Sequence, residues 1–96
     1  MRAPARKRSR SIKWQASAAS RTARVRWLVT YDIADLRRLA RLFKYLKKQG
    51  VPVQYSVFLV EASAMKMSNL IVQMAKLVDA NADDVRAYHL PATEPT

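Results

Sequence analysis

The sequence predicts an α+β fold, with two helices packed on one face of a small antiparallel sheet. Three observations lead there. Stretches 24–32 and 51–61 are rich in β-branched and aromatic residues and alternate as strands do. Apolar residues recur at helical spacing from Leu36 to Leu46 and from Met67 to Val78. The resulting order, β-α-β(β)-α-β, suits two helices lying on one side of one sheet.

The chain of 96 residues allows one domain and one modest core. Its formal net charge is +11 and is unevenly spread: residues 1–26 hold nine bases and no acid, residues 27–96 nine bases against seven acids. Such an excess favours nucleic acid or an anionic surface. No apolar run reaches the ~20 residues needed to span a bilayer, so no membrane is expected. The chain has no Cys and one His, which excludes disulfides and argues against zinc. A metal would have to be hard and oxygen-ligated, magnesium or manganese.

Residues 1–23 mix Arg, Lys, Ser and Ala with little apolar periodicity, and are expected to form a basic tail, disordered or loosely helical. Three readings stay open: a solvated extension that can bind nucleic acid, an organellar transit peptide, or sequence upstream of the true translation start. Trp14 is the tail's large aromatic, either incidental or able to stack on a base.

The domain begins at 24. Val25, Trp27, Val29 and Tyr31 point one way, Leu28 and Thr30 the other, as in a strand covered on both faces. It ends in the carboxylate of Asp32, and one carboxylate needs a second to hold a metal. Asp35 can cap the next helix. Leu36, Leu39, Phe43 and Leu46 form the expected buried stripe, with Arg37, Arg38, Arg41, Lys44, Lys47 and Lys48 opposite. Gly50 is expected at the left-handed position after the helix, and Pro52 blocks continuation.

The 51–61 stretch is long for one strand and reads as two, joined by a tight bend near Gln54-Tyr55-Ser56. Ser63 can cap a second helix whose apolar face is Met67, Leu70, Ile71, Met74, Leu77 and Val78. A polar connection at 79–84 precedes a last strand at 85–90. Together these make a ferredoxin-like βαββαβ domain over 24–91 and a C-terminal tail over 92–96. One sheet face stays open yet carries apolar residues, so a homodimer through that face is expected.

Several segments resemble one family: Tyr31-Asp32-Ile33, then Arg37-Arg38-Leu39 with Arg41, Lys47-Lys48-Gln49-Gly50, Gln54-Tyr55-Ser56-Val57-Phe58, and Asp83-Asp84-Val85-Arg86-Ala87-Tyr88-His89-Leu90-Pro91. They are similar to the small CRISPR-associated adaptation nucleases, the Cas2 family. The resemblance implies a cytoplasmic homodimer in which Asp32 of each copy faces its symmetry mate and shares one Mg2+ or Mn2+. Asp32 is then both the metal ligand and the catalytic residue, with Tyr31 and Phe58 supporting it. Arg37, Arg38 and Arg41 match basic positions of the first helix; Lys44 and Lys48 continue the row.

The resemblance carries two activities. One is a double-stranded DNA-binding adaptor between dimers of the CRISPR integrase, Cas1, in spacer acquisition and antiviral defence. The other is a magnesium-dependent endoribonuclease or endodeoxyribonuclease. A toxin-like metal-dependent endoribonuclease, or a small RNA-binding protein of the same fold, is the alternative. The chain departs from the family pattern at Ala34-Asp35-Leu36, where Pro or a second acid is common, at Leu59-Val60, at His89 and in its basic tail.

Overall fold

The structure, a computed structural model, describes residues 12–14 and 22–90. The elements run β1 (Ile12–Trp14), β2 (Val25–Asp32), α1 (Leu36–Lys47), β3 (Gly50–Gln54), β4 (Val57–Ala62), α2 (Ala64–Ala75) and β5 (Asp84–Leu90). β2 lies at the centre, antiparallel to both β4 and β5, and β3 pairs antiparallel with β4. The sheet order is β1-β5-β2-β4-β3. Without β1 this is the ferredoxin-like arrangement expected from the order of elements.

Alternation decides what is buried. The register sets Trp27 opposite Val60 and Val29 opposite Phe58, and residues opposite each other share a face. That face carries Trp27, Val29, Tyr31, Phe58, Val60, Ala62, Val85 and Ala87, buried against Leu42 and Leu46 of α1 and Met67, Leu70, Ile71 and Met74 of α2. Trp27, fully buried, satisfies its indole by donating from Nε1 to the Ala62 carbonyl at 2.9 Å. The other face carries Leu28, Leu59, Val57 and Tyr88, half-buried or exposed, and neither described helix lies over them. Among the described residues, no helix is long and apolar enough to cross a membrane.

Both caps form as expected: Asp35 accepts from the amides of Arg37 and Arg38, and Ser63 from that of Lys66. The bend between β3 and β4 is present too. Ser56 takes a left-handed φ of 61° there, a conformation more usual for Gly or Asn.

Three expectations are corrected. The buried stripe of α1 is Leu42 and Leu46, with Leu39 and Tyr45 partly buried beside it; Leu36 is 81% exposed and Phe43 39%. The helix carries two apolar stripes about 100° apart; the Leu42 stripe faces the sheet, with Arg38 paired to Asp83 beside it. Gly50 is not left-handed: it already belongs to β3, with no positive φ. Glycine is required there because a Cβ would overlap the Leu59 carbonyl oxygen and come within 2.9 Å of Val60 Cγ2. Finally, part of the expected tail is a strand. Ile12, Lys13 and Trp14 pair parallel with Val85, Arg86 and Ala87, so Ile12 is buried and Trp14 meets Trp27 with ring centroids 6.0 Å apart. The rest of the basic tail, and 92–96, lie outside the described residues.

Candidate nucleic-acid interface

The sequence gives α1 three distinct faces, because residues spaced by three and four share a side. Leu42 and Leu46 face the core. Arg37, Arg41, Lys44 and Lys48, at i, i+4, i+7 and i+11, form an exposed row. Between these two faces lie Leu36, Ala40, Phe43 and Lys47, again at i, i+4, i+7 and i+11, with Lys47 Nζ 5.7 Å from the Phe43 ring centroid.

The basic row is not neutralised. Among the described residues, the cations within 4.0 Å of a carboxylate are Arg38 and Arg86. Lys44 lies in the last turn, where the helix dipole favours a cation, but Arg37 lies in the first turn, where the dipole opposes it.

Arg38 is placed differently from its neighbours. Its Nε donates to Asp83 Oδ2 at 2.7 Å and its Nη2 to Asp83 Oδ1 at 3.1 Å. Asp83 also accepts from the amides of Ala34 and Asp79, each at 2.8 Å. Its side chain is fully buried, Arg38's 26% exposed. Burial alone would raise the Asp83 carboxyl, but the Arg38 guanidinium and the two amides outweigh it and hold it at about 2. This buried ion pair ties the start of α1 to the entry of β5. Any phosphate contact by Arg38 therefore competes with Asp83, whereas Arg37, Arg41, Lys44 and Lys48 have no such competitor. Asp83 was missed as a functional residue: two acids just before a strand are the signal, but a polar connection looks the same.

Asp32 ends β2 and is exposed. Its Cα partner in β5 is Asp84, so one chain supplies a second carboxylate at that end of the sheet, on the face the helices leave open. Asp84 already accepts from Arg86 Nε at 2.9 Å. Among the described residues, no three His, Asp or Glu side chains lie close enough to hold a metal. A magnesium ion keeps several of its waters and is bound through one or two carboxylates; of the two at this sheet end, Asp84 is engaged by Arg86, which leaves Asp32 as the carboxylate open to such an ion.

Tyr31 and Phe58 lie in the core. Phe58 is fully buried, its ring 6.3 Å from Tyr31 and 5.5 Å from Phe43. Burial, and then the neighbouring Tyr55, push the Tyr31 phenol above its ordinary value. The Tyr31 amide donates to the Ser56 carbonyl at 3.2 Å, fastening the bend to the end of β2.

Comparison with known proteins agrees with this architecture. Residues 25–94 match the family model described as CRISPR associated protein Cas2. A relative from Nitrosomonas europaea named CRISPR-associated endoribonuclease Cas2 1 is 45% identical over 68% of this chain, and the match spans 62% of that protein, less than two thirds of its length. The crystal structure of Streptococcus pyogenes Cas2 at pH 6.5 superposes with a TM-score of 0.64 at 27% identity, over 69% of this chain and 86% of that one. A hypothetical protein from Thermus thermophilus, TT1823, superposes with a TM-score of 0.71 at 28% identity, over 77% and 90%. β1 lies outside residues 25–94, and every other described strand and helix lies within them: the chain belongs to the CRISPR-associated Cas2 family.

Proposed function

We propose that this chain works in CRISPR spacer acquisition as a homodimeric adaptor that holds duplex DNA for the integrase Cas1. The observation that carries this reading is the exposed row Arg37, Arg41, Lys44 and Lys48, opposite the buried side of α1 and without a carboxylate within 4.0 Å among the described residues. Such a row meets a phosphate backbone by charge and releases its counterions. The uncovered sheet face, with Leu28, Leu59, Val57 and Tyr88, supports a second copy as its cover.

A second reading is a metal-dependent phosphodiesterase acting on RNA or DNA. It is supported by Asp32 and Asp84 in register at one sheet end, and by relatives that are named endoribonucleases. It requires oxygen ligands from the second copy, such as that copy's own Asp32, to complete a magnesium or manganese site.

One experiment separates the two. Asp32→Asn and a variant with Arg37, Arg41 and Lys44 replaced by Ala are each assayed for duplex binding, and for cleavage of RNA and DNA with magnesium or manganese. The adaptor reading expects Asp32→Asn to bind as wild type and the triple variant to bind weakly. Undiminished binding by the triple variant contradicts the adaptor. Metal-dependent cleavage lost in Asp32→Asn would establish the phosphodiesterase.

A further inference from the structure

The apolar stripe that α1 turns away from the core lines an open groove of about 440 Å³, formed by Tyr31, Leu36, Leu39, Phe43, Tyr55 and Ser56 among others. We infer that this groove takes the base of an unpaired nucleotide, stacked against Tyr55, while the neighbouring Arg37, Arg41 and Lys44 hold its phosphates. The inference deepens the nucleic-acid-binding role proposed above and rests on it.

Three observations converge on that occupant. Tyr55 is 91% exposed at the tip of the bend, an aromatic ring with almost no cover from its own chain. The bend is nonetheless fixed in place, by the left-handed Ser56 and by the hydrogen bond from the Tyr31 amide to the Ser56 carbonyl. A large exposed ring on a pinned turn is a stacking platform, since every base presents a π-face. The second observation is the floor. Leu39 and Ala40 are apolar, and the Tyr31 ring is buried beside them. Phe43 brings Lys47 over its ring at the margin.

The third is charge. The groove row of α1 lies beside the basic row, one residue back at every step. A strand whose phosphates follow Arg37, Arg41 and Lys44 runs along about 10 Å of helix with its bases turned towards the groove. A paired base in a duplex cannot enter, because its faces are already stacked.

The test compares wild type, Tyr55→Ala and Tyr55→Phe for binding to a single strand carrying one fluorescent purine analogue and to a blunt duplex of equal length, in DNA and RNA forms. Tyr55 is exposed, so folding is preserved. Tyr55→Ala is expected to weaken single-strand binding between about fivefold and a hundredfold, the range for one stacked base. It should abolish quenching of the analogue and leave both the duplex affinity and the salt dependence of binding as in wild type; Tyr55→Phe should retain the quenching. Unchanged single-strand binding by Tyr55→Ala overturns the inference and leaves the duplex-holding role intact. A change of oligomeric state in Tyr55→Ala, read by sedimentation, also overturns it and assigns the groove to a second copy. Loss of neither single-strand nor duplex binding on removing Arg37, Arg41 and Lys44 overturns both readings together.

Discussion

Replacing Asp83 with alanine removes one buried acceptor from four donors: the amides of Ala34 and Asp79, and Nε and Nη2 of Arg38. Breaking a buried, hydrogen-bonded ion pair costs about 3–5 kcal/mol. Arg38 keeps 26% of its side chain in solvent and can rehydrate, which places the loss near the lower end, about 3 kcal/mol. For a domain of this size, each kcal/mol moves Tm by roughly 4–8 °C, so the variant should melt about 12–24 °C below wild type. The acid limb gives a second readout. The Asp83 carboxyl lies at about 2 in the folded chain against an ordinary 3.8. Because the folded value is the lower one, its stabilisation is fully present above about pH 4 and lost as pH falls through about 2. At about 1.4 kcal/mol per pH unit that component is about 2 kcal/mol. Urea titrations from pH 5 to pH 2 should therefore show wild type losing about 2 kcal/mol that Asp83→Ala has already lost. A variant within about 1 kcal/mol of wild type at pH 7, or one with the same acid limb, would refute the account of Asp83 as the tie between α1 and β5.

Other consequences follow from the packing. Leu42→Ala should cost about 2–5 kcal/mol by chemical denaturation, while Leu36→Ala should stay within about 0.5; the reverse order would mean that α1 is rotated. Gly50→Ala should destabilise by about 1–3 kcal/mol, since the added methyl has to displace the β4 backbone at Leu59. Ile12→Asp places a charge at a buried position of β1 and should release that strand. Hydrogen exchange should then quicken at the β5 edge that β1 covers, with the β2–β4 ladder unchanged; an unaffected β5 would show that β1 does not pair in solution.

Where local chemistry and tertiary structure agree, the fold was legible. The alternation of β2, the apolar face of α2, the caps Asp35 and Ser63 and the bend at Tyr55-Ser56 all follow from neighbours in sequence. Long-range partners were not legible. Ile12, Lys13 and Trp14 alternate for only three residues within a basic segment, and their strand exists because β5 offers an edge and Trp27 a ring to pack on. For α1, the series 36-39-43-46 and 39-42-46 both satisfy helical spacing, and only the packing against the sheet, between residues distant in sequence, tells them apart. Arg38 shows the same limit within the candidate site. In the sequence it is one of six bases on a helix; in the fold it is the one bound to a buried carboxylate. Asp32 was found as a strand end, but its register partner Asp84 became visible only once β5 was paired with β2.

The central claim is that α1 presents Arg37, Arg41 and Lys44 to a phosphate backbone. It is tested most directly by the salt dependence of duplex binding, comparing wild type with the triple alanine variant. If each side chain displaces one counterion, the slope of log Kobs against log salt should become shallower by nearly three for each copy of the chain on the duplex, at about 0.9 per phosphate contact. An identical slope for the two proteins would contradict the account.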